Sequence, residues 1–190
     1  ETGGISEYRL DNGLRVLLAP LPGRRTFTLN LSYFAGSRHE KEGEAGMAHL
    51  MEHMAFRGTP TYDDIRKKLI DHDAAFSSAT SFDRVTYYEI LPATTENLAF
   101  ALNLEADRMV NCRIDSAALA EEMATVRNEV ESSESDPGFV LDGRMAAVAY
   151  ERHAYGKPIL GTLADVSRIQ SEILRAFYRR DYQPDNAILV

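Results

Sequence analysis

His49-Leu50-Met51-Glu52-His53 is the stretch on which the reading of this chain turns. Each residue of an α-helix advances by about 100°, so His53 lies about 40° round from His49, and Glu52 about 60° round on the other side. Two imidazoles and one carboxylate then share a face. The i, i+4 spacing is what two histidines need to hold one tetrahedral Zn²⁺, and the carboxylate between them can lie against a water at the metal without being a ligand. The competing explanation is an amphipathic helix whose histidines are exposed or satisfied in the core. The flanks weigh against it. Met47, Ala48, Leu50, Met51, Met54, Ala55 and Phe56 favour a helix that is mostly buried, and histidines in such a setting need partners. Gly43 and Gly46 before the stretch, and Gly58-Thr59-Pro60 after it, are credible boundaries, so a helix is expected over about 44–57.

The rest of the chain sets limits on function. Its 190 residues suit one domain with a real core, and 44% hydrophobic with 26% charged residues is ordinary globular composition. A net charge of −8 argues against nucleic acid or an anionic membrane as the main partner. No apolar run approaches the roughly 18 residues of a membrane span. Cys112 is the single cysteine, which excludes an internal disulfide, and it reads as a small packing residue rather than a nucleophile. Glu1-Thr2-Gly3 reads as an engineered scar or the end left by signal removal.

Along the chain, Glu7–Leu10 and Leu14–Leu18 flank Asn12-Gly13 as a β-hairpin. Thr26–Phe34 alternates, with Phe27, Leu29, Leu31 and Tyr33 on one face, as a half-buried strand does. A helix fits Tyr62–Asp71 with Ile65, Leu69 and Ile70 inward. Ala75–Thr80 and Arg84–Leu91 fit two strands joined at Ser81-Phe82-Asp83, with Tyr87 and Tyr88 on opposite faces. Thr94 or Thr95 can cap a helix to Asn111 with Leu98, Ala101, Leu102 and Met109 apolar, and Asp115 or Ser116 one to Ser135 that stops at Asp136-Pro137-Gly138. Helices follow at Phe139–Arg152, after Thr162-x-x-Asp165 and after Ser171, and Asn186–Val190 begins a strand. His39, His72 and His153 lie outside any ligand spacing. His72 reads as a surface helix-end residue and His153 as shaping a loop, while Phe82 packs in the hairpin or near a cleft.

Two histidines do not complete a zinc site, and a catalytic one needs a third ligand and an open position. The helix after Asp115 offers Glu121, Glu122, Glu129, Glu131 and Glu134. Glu122 and Glu129 fall within about 20° of one face, which would let one ligate and the other support a histidine. Such a run is also what a solvated helix face looks like, and helix geometry alone does not rank these glutamates.

The segment Gly46-Met47-Ala48-His49-Leu50-Met51-Glu52-His53-Met54-Ala55-Phe56-Arg57-Gly58-Thr59 resembles the pitrilysin/insulinase family of zinc metallopeptidases, whose inverted H-x-x-E-H pattern it carries. The resemblance continues through Thr80–Tyr88, Leu104–Met109, Val126–Glu131, His153–Pro158 and Tyr182–Asn186, and looks closest to bacterial secreted members. It implies an α+β fold, a mostly antiparallel sheet packed with helices. It implies that His49, His53 and Glu129 bind Zn²⁺, that Glu52 is the catalytic base, and that Glu122 supports the site. It further implies peptide held by strand addition along Ser77, Ser78, Ala79 and Thr80, where Ser77-Ser78 departs from the family's usual Asn-Ala or Asn-Gly and puts subsite preference in question.

Peptide-bond hydrolysis as a zinc endopeptidase, on peptides or small unfolded proteins, is therefore the expected activity, in a periplasmic or secreted setting. Residues 1–190 are expected to form the N-terminal half of a two-half unit, ending inside that half, with a second homologous half in the same full-length chain or another subunit as partner. Alternatives are a non-catalytic scaffold or peptide-binding subunit of the same fold, and a purely structural zinc domain. Intact His49, Glu52, His53 and Glu129 weigh against the scaffold, and Glu52 weighs against the structural site.

Overall fold

The computed structural model describes residues 4–190; Glu1-Thr2-Gly3, and the reading given to them, lie outside the described residues. Its strands are β1 (Ser6–Arg9), β2 (Arg15–Leu18), β3 (Thr26–Tyr33), β4 (Ala75–Thr80), β5 (Val85–Pro92) and β6 (Ala187–Leu189). Its α-helices are α1 (Met47–Met54), α2 (Ile65–Asp71), α3 (Thr95–Asn111), α4 (Ser116–Glu134), α5 (Pro137–Ala149), α6 (Leu163–Val166) and α7 (Ser171–Asp181). The strands form one sheet in the order β1-β2-β6-β3-β5-β4, antiparallel except for the β2–β6 pair, as the expected α+β architecture requires. The chain's last strand thus enters between the first hairpin and β3, while β4 stands at one edge.

Alternation on β3 and β5 builds the floor of the core. Leu31 pairs with Tyr87 and Tyr33 with Val85, and all four are buried with Met47, Leu50, Met51 and Met54 of α1 above them. Tyr88 points the other way and is exposed. Beneath Phe56 and Tyr87 lies Arg108, fully buried, its guanidinium bonded to Glu89 at 2.9 Å and to Glu105. Burial, with the adjacent Glu105 carboxylate, pushes Glu89 up to about 9. A protonated Glu89 leaves one carboxylate to balance one guanidinium, the condition for keeping such a cluster out of water.

Local boundaries differ from the sequence reading for identifiable reasons. Helix α1 starts at Met47 rather than near Glu44, because Gly46 sits at φ 85°, a left-handed conformation that ends helical geometry. A Cβ at Gly46 would fall 2.6 Å from the Leu160 carbonyl oxygen, so glycine is needed there for space as well. Helix α2 begins only at Ile65, since the Thr59 hydroxyl accepts from the amides of Thr61 and Tyr62 in a turn and Asp64 provides the cap. Strand β5 runs Val85–Pro92, one residue later than expected. Asp136-Pro137 ends α4 but at once starts α5: Asp136 caps it and Pro137 occupies its first turn, so this helix is Pro137–Ala149 rather than Phe139–Arg152.

Some residues expected inside are not. Ile70 is 63% exposed, and Leu98 and Leu102 are also exposed. Leu98 and Leu102 line an open apolar groove with Leu10, Val16, Leu17, Phe27 and Leu189. His72 is half-buried rather than a plain surface residue: it stacks on Phe100 with centroids 3.7 Å apart and bonds Asn97 at 2.9 Å. Cys112 packs at the end of α3 with its thiol pushed up to about 12 by burial, which agrees with a packing role.

Candidate metal centre

Seven of the eight residues of α1 are buried, so its two histidines have little freedom. The helix is fixed at its start by a group that lies outside it. Glu40 accepts from the amides of Gly46 at 3.2 Å and Ala48 at 2.9 Å, in place of the side-chain cap that Gly46 cannot provide. Burial outweighs these two bonds and raises Glu40 to about 7. Glu44, just before the helix, is held by a two-point pair with Arg180 of α7, at 2.8 Å for each contact.

Helix α4 crosses α1 and contributes glutamates. Three atoms converge: His49 Nε2 and His53 Nε2 are 3.2 Å apart, and Glu129 Oε2 lies 3.2 Å from the first and 3.3 Å from the second. Among the described residues, His49, His53 and Glu129 form a group able to hold a metal ion. Bonds of about 2.0–2.1 Å in a tetrahedron set donors about 3.3–3.4 Å apart, so this triangle matches one face of a zinc polyhedron and leaves a fourth vertex open. Two unprotonated imidazole nitrogens and a carboxylate oxygen would repel one another at such distances without a cation among them. The donor set therefore fits the metal.

The titration of His49 points the same way. Burial pushes His49 down to about 4, with the charge of His53 adding to the effect, so His49 is neutral at pH 7 and able to ligate. His49 Nδ1 is buried without a hydrogen-bond partner. For His53, burial lowers the pKa, but the hydrogen bond it donates to Glu122 and the charges of Glu129, Glu122 and Glu52 outweigh it and raise it. Glu122 Oε1 lies 2.9 Å from His53 Nδ1. That bond, with Arg57 nearby, holds Glu122 below the ordinary carboxylate range. An ionised carboxylate only accepts, so Nδ1 carries a proton, and in the neutral ring Nε2 keeps its lone pair for the centre.

Glu52, buried on α1, receives a hydrogen bond from the hydroxyl of Thr80, the last residue of edge strand β4. Ser77, Ser78, Ala79 and Thr80 pair with β5 on one side only. The structure thus brings His49, Glu52, His53, Glu122 and Glu129 together and sets the Ser77–Thr80 edge beside Glu52. Glu121 instead pairs with Arg57, and Glu131 and Glu134 are not part of the cluster. Three side-chain contacts were missing from the sequence reading: Glu40 at the start of α1, Arg57 on Glu122 at 3.1 Å, and the hydroxyl of Thr80, a residue expected only on the substrate edge, on Glu52. Arg57 lies within the motif segment, but nothing in its spacing announces a partner 65 residues on.

The insulinase family, peptidase family M16, matches residues 15–163. This chain belongs to that family. It is 30% identical over 183 residues to an uncharacterized zinc protease of Rickettsia felis, covering 95% of this chain and 44% of the relative. It is 30% identical over 182 residues to the mitochondrial-processing peptidase subunit beta of Rattus norvegicus, covering 95% of this chain and 37% of that subunit. A solved protease from Helicobacter pylori superposes with a TM-score of 0.92 at 27% identity, over 97% of this chain and 45% of that one. The chain thus spans less than half the length of these relatives. No helix among the described residues is long and apolar enough to cross a membrane.

Proposed function

We propose that this chain is the zinc-binding half of a metalloendopeptidase that hydrolyses peptides or small unfolded proteins. The observation that carries the reading is the triangle of His49 Nε2, His53 Nε2 and Glu129 Oε2, with sides of 3.2–3.3 Å. In this reading His49, His53 and Glu129 hold Zn²⁺. Bound there, zinc would lower the pKa of water and polarise the scissile carbonyl.

The chain's own groups do the rest. Glu52 takes the proton of the attacking water and passes it to the leaving amine. Thr80 fixes one oxygen of the Glu52 carboxylate. Glu122 orients His53 through Nδ1. A peptide adds as a further strand along Ser77–Thr80, which would set its backbone beside the base without demanding particular side chains. A second homologous half, from the same polypeptide or another subunit, would close over this edge. The relatives' greater length supports that part of the reading. A periplasmic or secreted setting, which the resemblance implies, belongs to the same proposal.

Metal analysis and a cleavage assay on an unstructured peptide, with and without chelator, test it. One zinc per chain is expected, with cleavage that chelator abolishes and zinc restores. A chain that takes up no zinc, or cleavage indifferent to chelator, would sink the reading. Zinc uptake without cleavage would keep the metal site and make the second half a requirement.

A further inference from the structure

We infer that Arg57 is a positioning residue for the metal site, acting through Glu122 on His53; the inference rests on the zinc reading above. A carboxylate aimed at a histidine by one contact is poorly fixed, because the terminal torsion of glutamate is broad and roughly two-fold. Glu122 has two contacts. Its Oε1 meets His53 Nδ1 at 2.9 Å and its Oε2 meets Arg57 Nε at 3.1 Å. With both oxygens engaged, the carboxylate plane is set, and with it the plane of the imidazole whose Nε2 faces the centre.

Arg57 is itself held from two sides. Its amide donates to Met54 O at 3.0 Å as α1 closes, and Gly58 follows at φ 112°, where a Cβ would fall 2.5 Å from the Tyr62 carbonyl oxygen. Its guanidinium also pairs with Glu121. The two acidic partners differ: the Glu121 side chain is 70% exposed and the Glu122 side chain 10%. An ion pair as exposed as that with Glu121 contributes little, so the buried contact is where Arg57 acts.

Positioning and plain electrostatics predict opposite signs. A guanidinium near a bound dication repels it, so on Coulomb grounds alone Arg57→Met would tighten zinc binding. If Arg57 holds Glu122 in register, the same change weakens binding. Groups behind a metal-bound histidine alter affinity by about 10–100-fold, and Arg57, one bond further out, belongs at the lower end, about tenfold.

The experiment is zinc competition against a chromophoric chelator for the full chain and its Arg57→Met, Arg57→Lys, Glu122→Gln and Arg57→Met/Glu122→Gln variants, with metal-free melting followed in parallel. Expected are a roughly tenfold weaker zinc complex for Arg57→Met, recovery to within roughly threefold for Arg57→Lys, which keeps a cationic donor group, and no further loss from Arg57→Met once Glu122 is Gln. If the methionine variant folds poorly, Arg57→Gln reads the same sign. Unchanged or tighter binding in Arg57→Met overturns the inference while leaving the zinc reading intact. So does a full additional loss in the Glu122→Gln background, which would show Arg57 acting by another route. A wild-type chain that binds no zinc removes both.

Discussion

Helices α1 and α4 bring groups to the same point under opposite conditions. Helix α1 is short and buried on nearly every side, and its histidine side chains are only 9% and 12% exposed. Helix α4 is long, largely solvated and buried along a narrow stripe of Leu119, Glu122, Val126 and Val130. Its Glu129 side chain is 44% exposed. The difference teaches how the proposed centre divides its work. On the zinc reading, the histidine pair is set by core packing, whereas the more exposed Glu129 is held less firmly by the fold. Glu122 stands between the two regimes, on the solvated helix but sealed by His53 and Arg57.

The sharpest test of this division concerns chemistry rather than metal. Glu52→Gln should lower peptide turnover by about 10²–10⁴-fold, as loss of a general base does, while zinc content stays at the wild-type level. Retained turnover, or lost zinc, would show that the α1 carboxylate is not the base. Next in size is the contrast between ligands. His53→Ala should abolish zinc binding at micromolar metal, and Glu129→Gln should weaken it but leave a two-histidine complex detectable by competition. Equal losses would break the idea that α1 alone presets the pair.

Stability should follow the same divide. Met51→Ala empties a fully buried site on α1 and should cost about 2–5 kcal/mol in denaturant unfolding, whereas Glu131→Ala on the open face of α4 should stay within about 0.5 kcal/mol. Comparable values for the two would remove the distinction. The smallest effect concerns the start of α1. Folding raises Glu40 from 4.5 to about 7, so the fold favours its protonated form. That contribution is complete below about 4.5, declines as pH rises, and is gone above about 7. Glu40→Gln, neutral throughout, should gain in melting temperature relative to wild type as pH goes from 4.5 to 7, and a difference constant with pH would show that Glu40 does not titrate there.

What was legible in the sequence was mostly local. The Asn12-Gly13 turn, the alternation of β3 and the caps at Thr94, Asp115 and Thr162 write their elements within a few residues, and each stands where it was expected. The face shared by His49, Glu52 and His53 follows from helical pitch alone. Periodicity could not say whether a neighbour covers a face: Leu98 and Leu102 recur as core residues do, yet no element of the described chain lies over them. Helix α5 shows the same limit, with thirteen residues, many apolar, and none buried. Helix spacing allowed five glutamates near the histidines, and it took the family resemblance to single out Glu122 and Glu129. The contacts of Arg57 with Glu122 and of the Thr80 hydroxyl with Glu52 escaped because the partners lie far along the chain. Glu40 escaped because it reaches the amides of Gly46 and Ala48 from six and eight residues away, beyond the usual capping spacing.

The groove under Leu98 and Leu102 also governs how the chain behaves in a tube. A wall of leucine, valine and phenylalanine open to water lowers colloidal stability, because two such walls lose less by meeting than by staying hydrated. Salting-out ions such as sulfate strengthen that tendency. Purification and assay of this chain therefore belong in dilute, sulfate-free buffer, and scattering that grows with concentration is the sign to watch for.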